Sequence, residues 1–265
     1  MAMAQSAATG YGSSRVTRFA LAKFRPPALP STLVTRPGLH DRLTAGADQR
    51  LTIVVGSAGA GKSVLLSDWA ATRPPGATSW LSCDKADADP ARFWAGFIAA
   101  PRAIEPGFGA DAAELLAMDR TMSADITASI ANDVAKLPAG SAVVVDDFHY
   151  AATASALDMT DLIERWPAAT VQLVLAGRFD PPLRQHRMRM SGQLREIRDH
   201  DLYFSLAESR DQLSDADLTL LHQQSEGWPA VLQMAALSLR GITDRARLER
   251  AIEVRGQAIA EYFVS

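Results

Sequence analysis

The stretch VVGSAGAGKSVLLSDW, residues 54–69, restricts this chain more than any other. It begins at the end of an apolar run, LTIVV at 51–55, that reads as a buried strand. Gly56, Gly59 and Gly61 follow, and then Leu65, Leu66 and Trp69 recur on one face of a helix that the spacing predicts over 62–72. Gly56, four residues, and then Gly61, Lys62 and Ser63 give the spacing of a loop that cradles phosphate. The glycines allow positive φ and bring backbone N–H groups against phosphate oxygens. The helix start adds its partial positive charge. The candidate contacts are Gly56, Ser57, Ala58, Gly59, Ala60, Gly61, Lys62, Ser63 and Val64. Lys62 would bridge β- and γ-phosphates, and the Ser63 hydroxyl would bind Mg²⁺. A plain glycine-rich turn is the alternative, and the flanking strand and helix weigh against it.

Such a loop needs an acid for the metal. SAVVVDD at 141–147 is a strand that runs into Asp146 and Asp147. A buried strand ending on a carboxylate puts it at the carboxyl edge of a parallel sheet, beside the loop. Asp146 is the candidate Mg²⁺ ligand, through water. Asp147 would orient the attacking water. Two aspartates capping the next helix are the competing reading. A further strand, TVQLVLAGR at 170–178, ends in Gly177-Arg178. Arg178 could reach a γ-phosphate; pairing with Asp180 is the alternative.

The remaining elements are expected to alternate. TSWLS at 78–82 is a strand, Asp89-Pro90 starts a helix carrying Phe93, Trp94, Phe97 and Ile98, and SADITASIANDVAKL is an amphipathic helix. A helix is expected near 155–165, LREIR and LYFS read as short strand-like pieces, and 101–122 show weak periodicity. From Leu206 onward the pattern is helical. The fold class is therefore α/β, a parallel sheet flanked by helices and followed by a small all-helical subdomain. The expected division is a disordered leader at 1–22, the α/β domain at 23–205 and a helical lid at 206–265.

Composition narrows the function. The 265 residues are 48% apolar and 22% charged, with a net charge of −3. That balance disfavours coating nucleic acid by bulk charge. No apolar run reaches the roughly 18 residues of a membrane span, and the start lacks the pattern of a secretory signal. Cys83 is the one cysteine, so no internal disulfide forms and a cytoplasmic location is expected. The five histidines lack metal-ligand spacing. Arg184, Arg187, Arg189, Arg195 and Arg198 form a basic stretch, read as an exposed helix face or a contact patch.

Together these segments resemble the nucleotide-binding domain of STAND-class signalling ATPases, and more closely the MalT-like branch of large LuxR-family transcriptional regulators. KFRPPALPSTLVTRPGLHDRL, WLSCDKADADPARFW, VVVDDFH, LVLAGRFDPPL, GQLREIR and EGWPAVLQMAALSLRG carry the resemblance from about Lys23 to the end. It implies a sheet whose extra strand, between the loop strand and the acidic strand, carries Arg178 as a sensor. It implies that Pro229, in Gly227-Trp228-Pro229, packs on adenine from the lid, and that Val34 and Arg36 contact the base. On the residues alone, Pro229 is a proline in the first turn of a helix after a glycine.

ATP or ADP with Mg²⁺ are thus the implied cofactors. The implied function is an ATP-binding switch with slow hydrolysis in a transcriptional regulator. Self-association or output-domain contacts are possible partners. DNA would be reached through a domain that this chain lacks, and no membrane is involved. The family resemblance calls for a winged helix, helical repeats and a helix-turn-helix, while the sequence ends within an amphipathic run, AIAEYFVS, so it reads as a fragment. A metabolic P-loop enzyme, such as a small-molecule kinase, is the alternative. A module that holds ADP without turnover is a third.

Overall fold

The computed structural model describes residues 18–167, 170–210, 222 and 225–233. Five strands form one sheet: β1 (Leu51–Val55), β2 (Thr78–Ser82), β3 (Ser141–Asp146), β4 (Val171–Gly177) and β5 (Leu194–Ile197). Their order is β2-β3-β4-β1-β5, and every pairing is parallel. This helix-flanked parallel sheet is the P-loop NTPase architecture. β4 lies between β1 and β3, where the extra strand was expected.

Each residue of β1, β3 and β4 is buried. Strands covered on both faces read as continuous apolar runs rather than alternating ones. Their alternate side chains still serve two separate cores. Val54, Val144, Val174 and Ala176 face α1 (Pro37–Ala45) and α2 (Lys62–Ala71), where Leu65, Leu66 and Trp69 are buried together. Ile53, Val143, Val145, Leu173 and Leu175 face the other layer. That layer holds α3 (Pro90–Ala99), α4 (Ala110–Asp119), α5 (Ala124–Val134) and α6 (Ala152–Arg165).

Local chemistry sets several boundaries. Asp89 caps α3 by accepting from the Ala91 N–H at 3.0 Å, with Pro90 following. Phe93, Trp94 and Phe97 then pack with their rings 5.1–6.0 Å apart. The weak pattern over 101–122 has a physical origin: α4 buries only Ala112 and Leu116. After β4 come α7 (Gln185–Met190) and β5, then α8 (Asp199–Leu202) and α9 (Leu206–Arg210).

Two expectations change. LYFS forms no strand: Leu202 ends α8, and Arg36 takes the carbonyls of Asp201, Leu202 and Tyr203. Those acceptors are then unavailable to a ladder. Phe19, expected within a disordered leader, packs on the domain, while its neighbours at 18 and 20–22 stay exposed. Phe19 lies edge-on to Phe24 at 5.5 Å and beneath the Arg92 guanidinium at 5.0 Å. Lys23 next to them is buried and bonds Asp84 at 2.7 Å and Asp87 at 2.5 Å. Residues 1–17 and most of the expected lid at 206–265 lie outside the described residues.

The basic stretch is partly neutralised. Arg189 meets Glu196 at 2.8 Å, and Arg198 meets Asp180 at 2.7 Å and also Glu196. The Arg189 hydrogen bond, with help from Arg198, holds the Glu196 carboxyl down at about 2.

Candidate functional site

Three adjacent strands deliver polar groups to one edge of the sheet. At the end of β1 the Gly56 N–H donates to the Gly177 carbonyl of β4 at 3.2 Å. β3 ends on Asp146 beside them. Between β1 and α2 the backbone turns through left-handed residues, Gly59 at φ 75° and Gly61 at φ 85°. Side chains are strained there, so glycine is what lets the loop close over the start of α2. The first amides of α2 have no acceptor one turn back, which favours an anion at this point.

The Lys62 side chain is buried and folds back along the loop. Its ammonium donates to the Gly56 carbonyl at 2.7 Å and the Ser57 carbonyl at 2.9 Å. Burial lowers its pKa, opposed by the charges of Asp147, Asp146 and Asp199. Asp146 is buried as well, and burial pushes its carboxyl up to about 6. The Ser63 hydroxyl donates to that carboxylate, and the Asp147 N–H does so at 3.0 Å. Two hard oxygen ligands, one from the loop and one from β3, therefore meet, which suits Mg²⁺. Among the described residues no group of three or more His, Cys, Asp or Glu side chains could hold a metal by itself. A cation here would complete its shell with water or with oxygens of a bound ligand.

Asp147 has the left-handed φ of 53° and a carboxylate 42% exposed. It thus differs from Asp146 in both solvation and direction. His149 Nδ1 stands 3.7 Å from Asp147 Oδ1, beyond hydrogen-bond length. The His149 ring lies against Tyr150 at 4.2 Å, and burial lowers its pKa. Arg178 is exposed and has no ion pair or hydrogen bond among the described residues. Its charge acts on Lys62 and His149, which puts it in the same electrostatic cluster. Pairing with Asp180 is not found, because Arg198 occupies that carboxylate.

A cavity of about 340 Å³ opens on the other side of the loop. Val34, Val64, Leu65, Leu202, Phe204 and Pro229 give it apolar walls, joined by the backbone of Gly59, Ala60 and Gly61. Its polar lining comes from Thr32, Arg36, Asp68 and Gln233. That size and balance suit a nucleobase. Pro229 reaches the loop directly: a side chain on Gly61 would lie 3.8 Å from its ring. Trp228 Nε1 donates to the Ala58 carbonyl and the Ala230 N–H to the Gly59 carbonyl, both at 3.2 Å. Gly227 makes this docking possible, since a Cβ there would sit 2.2 Å from the Phe204 carbonyl oxygen.

Arg36 lines the cavity with its guanidinium already engaged. It donates to the Leu202 carbonyl at 2.5 Å, Asp201 at 2.9 Å and Tyr203 at 3.0 Å, and pairs with Glu208 at 2.9 Å. It braces the wall. The sequence reading missed Asp68, Asp199 and the Trp228 contact. Nothing in the spacing connects Ser57 to Asp199 across 142 residues, and no local signal could have found that pair.

No family model matches the chain. The serine/threonine-protein kinase PknK of Mycobacterium tuberculosis is 28% identical over 251 residues, 91% of this chain and 23% of that protein. The HTH-type transcriptional regulator MalT of Cronobacter sakazakii is 28% identical over 252 residues, 91% of this chain and 28% of its own length. The chain thus spans about a quarter of these relatives. Among solved structures, a Walker-type ATPase of Pyrococcus abyssi matches with a TM-score of 0.57 and 13% identity, over 90% of this chain and 77% of that one. A STAND protein with a tetratricopeptide-repeat sensor from Pyrococcus horikoshii gives 0.57 and 15%, over 88% and 34%. The chain is similar in sequence to MalT-like regulators and shares the fold of Walker-type and STAND ATPases.

Proposed function

We propose that the chain binds ATP or ADP with Mg²⁺ and acts as a slow ATPase switch within a transcriptional regulator. The observation that carries this reading is the convergence of Lys62, Ser63 and Asp146 at one sheet edge, with a base-sized cavity on the far side of the same loop.

In this reading each residue of the site has a role. Lys62 leaves its two carbonyls and pairs with the β- and γ-phosphates. Ser63 and Asp146 hold Mg²⁺, whose charge would offset that of the phosphate oxygens. Asp147, on its exposed turn, would orient the water that attacks the γ-phosphorus and accept its proton, while the bond from that phosphorus to the β,γ-bridging oxygen breaks and ADP leaves with the electron pair. Arg178, unpaired among the described residues, reaches the γ-phosphate and distinguishes ATP from ADP. Val34 and Pro229 enclose the adenine, with Arg36 bracing the wall. Because Pro229 and Trp228 touch the loop itself, a nucleotide in the loop bears directly on the segment that follows. The name of the MalT relative supports a transcriptional regulator as the context. DNA recognition, self-association and output contacts would then fall to other parts or copies of such a protein, in the cytoplasm.

Calorimetry with ATP and ADP, with and without Mg²⁺, tests the binding half. Phosphate release from the wild type and Asp147→Asn tests the chemistry. Asp147→Asn should keep nucleotide affinity and lose about 100-fold or more in hydrolysis. No binding of either nucleotide with Mg²⁺ would falsify the reading.

A further inference from the structure

Asp199 opens α8, on the far side of the sheet order from the acidic strand, and has no part in the roles above. Its Oδ1 accepts from the Ser57 N–H at 2.8 Å and from the Ser57 hydroxyl at 3.0 Å. The Tyr203 hydroxyl lies 3.4 Å from the same Ser57 oxygen. Ser57 also gives its carbonyl to Lys62 at 2.9 Å. One loop residue is thus held by Asp199 through its donors and by the phosphate-binding lysine through its acceptor. The fit is close: a Cβ on Gly56 would fall 2.9 Å from that Asp199 oxygen.

The six residues from Asp199 to Phe204 touch the loop at Ser57, the segment before α1 at Arg36 and the chain around Gly227. Arg36, from the segment before α1, takes three of their carbonyls. The Phe204 N–H donates to the Gly227 carbonyl at 2.8 Å, and His222 Nε2 lies 2.9 Å from the Phe204 carbonyl oxygen. The chain continues from Gly227 to Trp228 and Ala230, which return to the loop at Ala58 and Gly59. A closed circuit results: loop, Asp199, Phe204, Gly227, Trp228, loop.

We propose that Asp199 is a positioning residue that fixes the entry of the phosphate loop through Ser57 and couples the loop to the segment 225–233. When Lys62 leaves the Ser57 carbonyl for phosphate, Ser57 keeps its place because Asp199 holds its two donors. The turn 199–204 then passes the loop's position to Gly227. This rests on the nucleotide reading above. It adds a residue and a route to it.

A pair of variants separates position from charge. Both bonds fall on one oxygen, so Asp199→Asn keeps them and loses only the charge, whereas Asp199→Ala loses both. Asp199→Ala should weaken Mg²⁺-ATP binding by about 3- to 10-fold, while Asp199→Asn stays within about 2-fold of wild type. Amide hydrogen exchange gives a readout that general loss of stability does not mimic. At saturating ATP the wild type and Asp199→Asn should protect residues 225–233, and Asp199→Ala should not, at unchanged melting temperature. Equal losses in both variants would assign the effect to charge and overturn the proposal. So would full protection of 225–233 in Asp199→Ala. If the wild type binds no nucleotide, the functional reading fails first. The contact is still tested then, because Asp199→Ala must speed exchange of the Ser57 amide in the free protein, and an unchanged rate overturns it.

Discussion

The proposed phosphate end and the proposed base end of the site are built in opposite ways. The phosphate end is polar and local. Gly56 to Ser63 form one loop, and Asp146 enters from a strand one removed from it in the sheet, across β4. The base end is apolar and assembled from afar. Thr32, Leu65, Leu202 and Pro229 come from four separate stretches of chain. A loop that must aim several N–H groups and one ammonium at a small anion tolerates little freedom, so its spacing is fixed. A cavity that must enclose a flat ring needs only surfaces of suitable shape, which many residues can supply.

The largest expected effect tests whether these ends act separately. Lys62→Ala removes charge-assisted bonds worth roughly 1.5–3 kcal/mol each, so ATP affinity should fall by about 10- to 150-fold. Adenosine, which lacks phosphate, should bind equally well to both proteins. A parallel loss for adenosine in calorimetry would break the division.

Asp146 sharpens it from the side of stability. Its carboxyl titrates near 6 in the fold, against the ordinary value of 3.8, chiefly through burial. The folded protein therefore holds this proton more tightly than the unfolded chain does. That contribution is fully present below about pH 4 and is lost as pH rises through 6. Asp146→Asn should then be more stable than wild type at pH 8, by no more than about 3 kcal/mol, and equal to it below pH 4. It should also lose the Mg²⁺ dependence of ATP binding. Denaturant melts at the two pH values decide the first point. A variant less stable at pH 8 would show that the carboxylate is held by its bonds more than it is penalised by burial.

This contrast explains what the sequence disclosed. LTIVV matches β1 residue for residue, because a strand buried on both faces leaves an unbroken apolar signature. TSWLS also matches β2, an edge strand that is polar and half-buried at Thr78 and Ser82. Asp146 and Asp147 were legible as a pair, but not their difference. That depends on the left-handed turn at Asp147, which exposes one carboxylate beside a buried one. Arg36 was legible only by resemblance, and its engagement with three carbonyls 165–167 residues away could not be read from spacing. LYFS misled for the same reason. Its alternation suits a strand, and the side chain that takes its carbonyls comes from the other end of the domain.

Arg178 should give a smaller effect than Lys62, since solvent screens an exposed side chain. Arg178→Ala is expected to cut the preference for ATP over ADP by about 5-fold, with ADP affinity nearly unchanged. Equal losses for both nucleotides would remove the sensor role and leave Arg178 as a general attractor of anions.

The smallest expected effect lies at the rim of the base cavity. Gln233 Nε2 donates to Thr32 Oγ1 at 3.0 Å, joining segments 201 residues apart. The bond closes the cavity between the chain before α1 and the helical turn after Pro229. A single neutral hydrogen bond contributes about 0.5–1.5 kcal/mol net. Gln233→Ala should therefore weaken ATP, ADP and adenosine alike, by about 2- to 10-fold. The uniformity matters more than the size. A bond that only shapes the enclosure of the base cannot sense how many phosphates follow it. Calorimetry on the three ligands would show the same factor for each if the two ends are independent. A loss confined to ATP would mean that rim closure is felt at the γ-phosphate, and the two ends would then have to be treated as one coupled structure.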